Sequence, residues 1–68
     1  MRVRLNGGDV DLAGDATVAE AVARLGVAEG ERGVAAAVDG DVVPRASWAR
    51  TPLREGATVE VVRAAAGG

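Results

Sequence analysis

The strongest constraint on this chain is a pair of short segments that match each other across a turn. Met1, Val3 and Leu5 alternate with Arg2 and Arg4, and after Asn6-Gly7-Gly8 come Val10 and Leu12 alternating with Asp9 and Asp11. A period of two marks a half-buried strand, and Asn-Gly or Gly-Gly between two such runs marks a tight hairpin. With Gly7-Gly8 as the loop, Arg4 faces Asp11 and Val3 faces Leu12. With Asn6-Gly7 as the loop, Arg4 faces Asp9 and Val3 faces Val10. Both registers put opposite charges on one face and apolar residues on the other, so the chemistry predicts a hairpin and leaves its register open.

A sheet with one apolar face needs a cover, and the next segment supplies one. Val18, Ala21, Val22 and Leu25 recur at helical spacing and predict a helix from about Val18 to Leu25. Thr17 and Glu20 have the spacing of a capping box, Glu20 and Arg24 that of an i,i+4 ion pair, and Gly26 is placed to end the helix. Two turns of helix are unstable alone in water, so this one must pack on the sheet.

Beyond a charged, glycine-bearing connection over residues 27–33, the strand signals resume. Residues 34–38 form a short apolar run. Asp39-Gly40 is a second hairpin signal, Val42-Val43 the return strand, and Pro44 its end. Residues 45–50 hold one helical turn around Trp48, and residues 59–62 read as the last strand. The order β-β-α-β-β-turn-β predicts an α+β domain, with one main helix on one face of a mixed sheet of about five strands. That order resembles the ubiquitin-like β-grasp, in which the first and last strands lie parallel at the centre of the sheet. Residues 1–62 are read as this domain and residues 63–68 as a flexible tail.

Composition removes several function classes. The sequence has 68 residues, one Trp, no Phe, no Tyr, and a net charge of −2 without any basic run. Nothing here offers a stacking platform or a basic stripe for nucleic acid, and no apolar run spans a bilayer, so neither nucleic acid nor membrane is an expected partner. With no signal peptide in view, the cytoplasm is the expected location. Cys, His and Lys are all missing, and the eight basic residues are all Arg. The chain therefore has no thiol nucleophile, no imidazole base, no usual zinc ligand and no amine for a Schiff base. No catalytic residue, bound cofactor or metal is expected.

What remains is the tail. Residues 63–68 at full extension reach about 20 Å past the last strand. Gly67 and Gly68 have no Cβ and fit a slot that admits no side chain. The group such a slot would receive is the carboxylate of Gly68. A free carboxylate is a poor electrophile until adenylation by ATP gives it a leaving group, after which it takes a sulfur or amine nucleophile. A partner enzyme has to do the activating.

Other residues have blander readings. Trp48 is read as a core or rim plug whose N–H reaches a carbonyl. Arg45 and Arg50 are read as solvated, and Asp9, Asp11, Asp39 and Asp41 as strand and turn residues, since their spacing is not that of a calcium loop.

The segment from Val38 to Trp48, with Val43-Pro44-Arg45 and the following Trp48, resembles the sulfur carrier proteins of thiamine (thiazole) biosynthesis, the ThiS family. Leu53-Arg54-Glu55-Gly56, then residues 59–62 and a terminal Gly67-Gly68, continue the resemblance over the whole chain. The chain departs from the family pattern at Asp39, at Ala57 and over residues 63–66. The resemblance implies a bacterial protein that is acted on rather than acting. An E1-like adenylyltransferase of the ThiF type uses ATP and Mg²⁺ to adenylate Gly68. A sulfur donor such as a cysteine desulfurase or rhodanese then yields a thiocarboxylate, and thiazole synthase of the ThiG type receives the sulfur. Alternatives are a carrier for molybdopterin or another sulfur metabolite, a ubiquitin-like protein modifier, and a plain β-grasp binding module.

Overall fold

The computed structural model describes residues 1–64. Its strands are β1 (Arg2–Leu5), β2 (Gly8–Asp11), β3 (Val34–Val38), β4 (Asp41–Val43) and β5 (Thr58–Arg63), with one α-helix, α1 (Val18–Arg24), and a 3₁₀ turn over Arg45–Arg50. The five strands form one mixed sheet in the order β2-β1-β5-β3-β4. β5 runs parallel to β1 and antiparallel to β3, so the first and last strands sit side by side at the centre. This is the ubiquitin-like β-grasp arrangement.

The first hairpin takes the second of the two registers. Arg2 pairs with Asp11, Val3 with Val10, Arg4 with Asp9 and Leu5 with Gly8. Asn6 (φ 49°) and Gly7 (φ 85°) both occupy the left-handed region. Two consecutive positive φ values make the twisted turn that suits a two-residue hairpin loop. Asp39 (φ 50°) and Gly40 (φ 87°) repeat the same geometry between β3 and β4, whose pairing closes at Val38 and Asp41.

The core lies between the sheet and α1. Val3 and Leu5 of β1, Val18, Ala21 and Val22 of α1, Ala36 of β3, and Val59 and Val61 of β5 are all buried, with Trp48, Leu53 and Ala57 closing one end. The predicted helical stripe holds for three of its four residues. Leu25 is the exception at 37% exposure, because α1 ends at Arg24 and Leu25 is its C-cap. Gly26 (φ 80°) turns the chain away, with its N–H returning to the Ala23 carbonyl at 3.0 Å.

The start of α1 differs from the capping-box reading. Thr17 is the N-cap, but its side chain makes no capping hydrogen bond. The Glu20 N–H that such a cap would bond goes to the Thr17 backbone carbonyl at 3.1 Å, while the Thr17 backbone bridges to Pro52 and the Val18 N–H donates to the Thr51 carbonyl at 3.0 Å. A helix-end donor needs only some acceptor, and here the segment after the 3₁₀ turn supplies it. Arg24 likewise turns from Glu20 to the Asp11 carbonyl, at 3.3 Å from Nη1. The last strand runs from Thr58 to Arg63, one residue longer at each end than its sequence pattern, because β1 pairs Arg4 with Thr58 and β3 pairs Val34 with Arg63.

Candidate functional site

Gly67 and Gly68 lie outside the described residues, so the site is described through the strand that leads to them. β5 is the central strand, and its C-terminal end is held on both flanks. On the β1 side the strand pairing stops at Leu5 and Val59. Asn6 then takes over. Its N–H donates to the Val59 carbonyl at 2.9 Å. Its side-chain Oδ1 accepts the Val61 N–H at 2.7 Å, and its Nδ2 donates to the Val61 carbonyl at 3.1 Å. A side-chain amide carries one acceptor and one donor group, so it replaces the backbone of a missing strand residue.

On the β3 side, the ladder reaches Val34 opposite Arg63. One step further, the Ala64 N–H donates to the Gly33 carbonyl at 2.7 Å. Glu31 lies in the same loop, and its Oε2 meets the Arg63 Nε at 3.0 Å. At its other end β5 is held by the second hairpin, where Asp39 exchanges two bonds with Thr58. The Asp39 N–H donates to the Thr58 carbonyl at 2.8 Å, and Oδ1 accepts the Thr58 N–H at 2.9 Å. The aspartate at position 39 thus satisfies the first N–H of β5.

The face of the sheet away from α1 carries exposed apolar residues beside this strand end. Val62 is 63% exposed and Val42 74% exposed. Ala35 pairs with Val62, and Ala37 pairs with Val42, so all four share that face.

The remaining candidates of the sequence fall elsewhere. Trp48 is buried, and its Nε1–H donates to the Val43 carbonyl at 2.9 Å. The Arg45 guanidinium lies 4.9 Å from the centre of the Trp48 ring and also donates to the Glu31 carbonyl. Arg45 is therefore engaged rather than merely solvated, through a cation–π contact and a backbone acceptor. A shallow groove of about 420 Å³ lies between α1, the 3₁₀ turn and the following loop, with Glu29 and Arg45 as its charged residues. Asp9 and Asp11 stand on β2, and Asp39 and Asp41 at the β3–β4 turn, on opposite edges of the sheet. Among the described residues no three carboxylates come together. Asp11 instead pairs with Arg2, at 3.0 Å to Nε and 3.4 Å to Nη2. That hydrogen bond, together with the positive charge of Arg2, holds the Asp11 carboxyl below the usual carboxylate range.

Asn6, Glu31 and Gly33 are the residues that sequence reading left in turns and connections. Their partners lie far along the chain, 55 residues away for Asn6. A turn asparagine carries no local sign of a distant partner.

The ThiS family model matches residues 3–68. The chain belongs to the ThiS family. Two solved structures agree with this ThiS assignment. One is a crystal structure of a thiamine biosynthesis protein (ThiS) from Geobacter metallireducens, 27% identical, with a TM-score of 0.77 and full coverage of both chains. The other is a solution structure of a thiamine biosynthesis protein from the same organism, 31% identical, with a TM-score of 0.79, covering all of this chain and 88% of that one. No curated protein sequence matches the chain. As a member of the ThiS family, the chain is a small ubiquitin-like sulfur carrier, the class that its Val43-Pro44-Arg45 and Trp48 segment resembles.

Proposed function

We propose that this protein carries sulfur for thiazole formation in thiamine biosynthesis, with the Gly68 carboxylate as the loading point and Gly67 as its slim neighbour in a partner's slot. The observation that carries the reading is the course of β5. The strand is central, is gripped at both ends, and is followed in sequence by residues 64–68, which the family match includes to the last residue. The 27% and 31% identical structures described as thiamine biosynthesis proteins support the pathway.

In the proposed cycle an E1-like enzyme of the ThiF type uses ATP and Mg²⁺. The Gly68 carboxylate attacks the α-phosphorus, pyrophosphate leaves, and an acyl-adenylate results. The terminal sulfur of a persulfide, held on a cysteine desulfurase or rhodanese, attacks the carbonyl and AMP leaves. A thiol then takes the donor's inner sulfur into a disulfide, releasing the thiocarboxylate. Thiazole synthase of the ThiG type receives the sulfur. The carrier itself needs no cofactor in this cycle and is not an enzyme: a chain without Cys, His or Lys has little to activate a carboxylate with. The exposed pair of Val62 and Ala35 beside the strand end suits a protein partner that takes the tail. The cytoplasm, where ATP and the persulfide donors meet, is the proposed compartment.

Incubation with a ThiF-type enzyme, ATP, Mg²⁺ and a persulfide donor, followed by intact mass measurement, tests the reading. Replacement of one oxygen by one sulfur at the C-terminus is expected. An unchanged mass with no trapped adenylate would overturn it, and adducts on lysines of other proteins would indicate a modifier instead.

A further inference from the structure

The sheet stops directing the chain at Arg63, yet the next residue is still held, and by a loop rather than a strand. The loop between α1 and β3 comes back across the end of β5. Gly33, at φ 72°, accepts the Ala64 N–H, and a Cβ built on Gly33 would lie 3.0 Å from the Ala64 Cβ. The backbone angle favours glycine at this point, and an added Cβ would crowd the Ala64 Cβ.

Glu31 joins this loop to three places at once. Its Oε1 accepts the Ala28 N–H at 3.1 Å, which closes the loop on itself. Its Oε2 meets Arg63 at 3.0 Å, and its carbonyl accepts from Arg45. Arg45 in turn lies over Trp48, which belongs to the core. A continuous chain of contacts thus runs from the core through Trp48, Arg45 and Glu31 to the last residue of β5.

We propose that the α1–β3 loop is a guide for the C-terminal segment, in which Glu31 acts as a positioning residue through its ion pair with Arg63. The inference rests on the carrier reading and adds to it a device that starts the tail in one direction. Residues 65–68 at full extension span at most about 14 Å. An angular error at Ala64 therefore displaces the Gly68 carboxylate by several ångströms, enough to miss the mouth of a partner's slot. A fixed start raises the fraction of molecules ready to enter a partner's slot, and that fraction scales the apparent affinity.

Three variants test this: Glu31→Gln, Arg63→Gln and the double variant. Glu31→Gln keeps an acceptor for Ala28 and removes the charge that holds Arg63. Amide exchange is read at Ala64 and, as a control, at Val59 in the core. With a partly exposed pair, exchange at Ala64 is expected to rise by roughly two- to fivefold while Val59 is unchanged. In adenylation by the ThiF-type enzyme, KM is expected to rise by a similar factor with kcat unchanged. The double variant is expected to match the single variants rather than to multiply their effects. High salt should move the wild type toward the variants. Unchanged Ala64 exchange in Glu31→Gln overturns the guide, as do a parallel rise at Val59 and multiplicative effects in the double variant. A wild-type chain that is never adenylated overturns the carrier reading instead, and the exchange measurement still judges the guide.

Discussion

Asn6 and Val61 are joined by two hydrogen bonds: the Val61 N–H donates to Asn6 Oδ1, and Asn6 Nδ2 donates to the Val61 carbonyl. The pair lies where β1 has already turned back into β2, so one side chain extends the central pairing beyond the end of the strand. Asn6 also bears the left-handed backbone of the hairpin turn. Asparagine is among the few non-glycine residues that adopt that conformation readily. Asn6→Gly keeps the turn and loses both bonds, so it should cost about 1–2 kcal/mol. Asn6→Ala adds left-handed strain and should cost about 2–3 kcal/mol. Urea unfolding of the two variants separates the hydrogen bonds from the turn.

Leu5 is 4% exposed and packs in the core below that turn. Leu5→Ala should cost about 2–5 kcal/mol through lost burial and the cavity left behind. A domain of this length has roughly 3–10 kcal/mol in all. The variant is therefore expected to be partly unfolded at room temperature, visible as a lost transition baseline in urea.

Asp11 is lowered in the fold by its hydrogen bond to Arg2 and by the charge of that guanidinium. A carboxyl with a lowered folded pKa binds its proton more readily when unfolded. The stability it lends is thus present above the ordinary carboxylate pKa, about 3.9, and is lost as pH falls through the lower folded value. The pair is exposed, so the effect is small and shrinks in salt. Carbonyl chemical-shift titration should place the Asp11 midpoint below that of a model aspartate, and Arg2→Gln should return it.

Gly68→Ala tests the slot on the partner. A methyl group at the loading residue is expected to slow adenylation by about tenfold or more, which corresponds to about 1.4 kcal/mol in the transition state. Tm should not move, because the buried core is formed by residues between Val3 and Val61. A substantial fall in Tm would show that residue 68 supports the fold.

Both hairpins, the helix and the last strand were legible in the sequence because each depends on neighbours a few residues apart. Asn6-Gly7 and Asp39-Gly40 set turns, Val18, Ala21 and Val22 set an apolar face, and Gly26 ends the helix. The carboxylate at Gly68 stood out by chemistry, since Cys, His and Lys are missing. Tertiary structure decided what local pattern left equal or silent. Two hairpin registers satisfied the same charges, and the one adopted gives Asn6 the left-handed turn conformation from which its side chain meets Val61. The first N–H of α1 found the Thr51 carbonyl, and Glu31 found Arg63 from across a loop. Such pairings join residues tens of positions apart. They exist only once packing has brought β5 between β1 and β3, and no short-range pattern encodes that event.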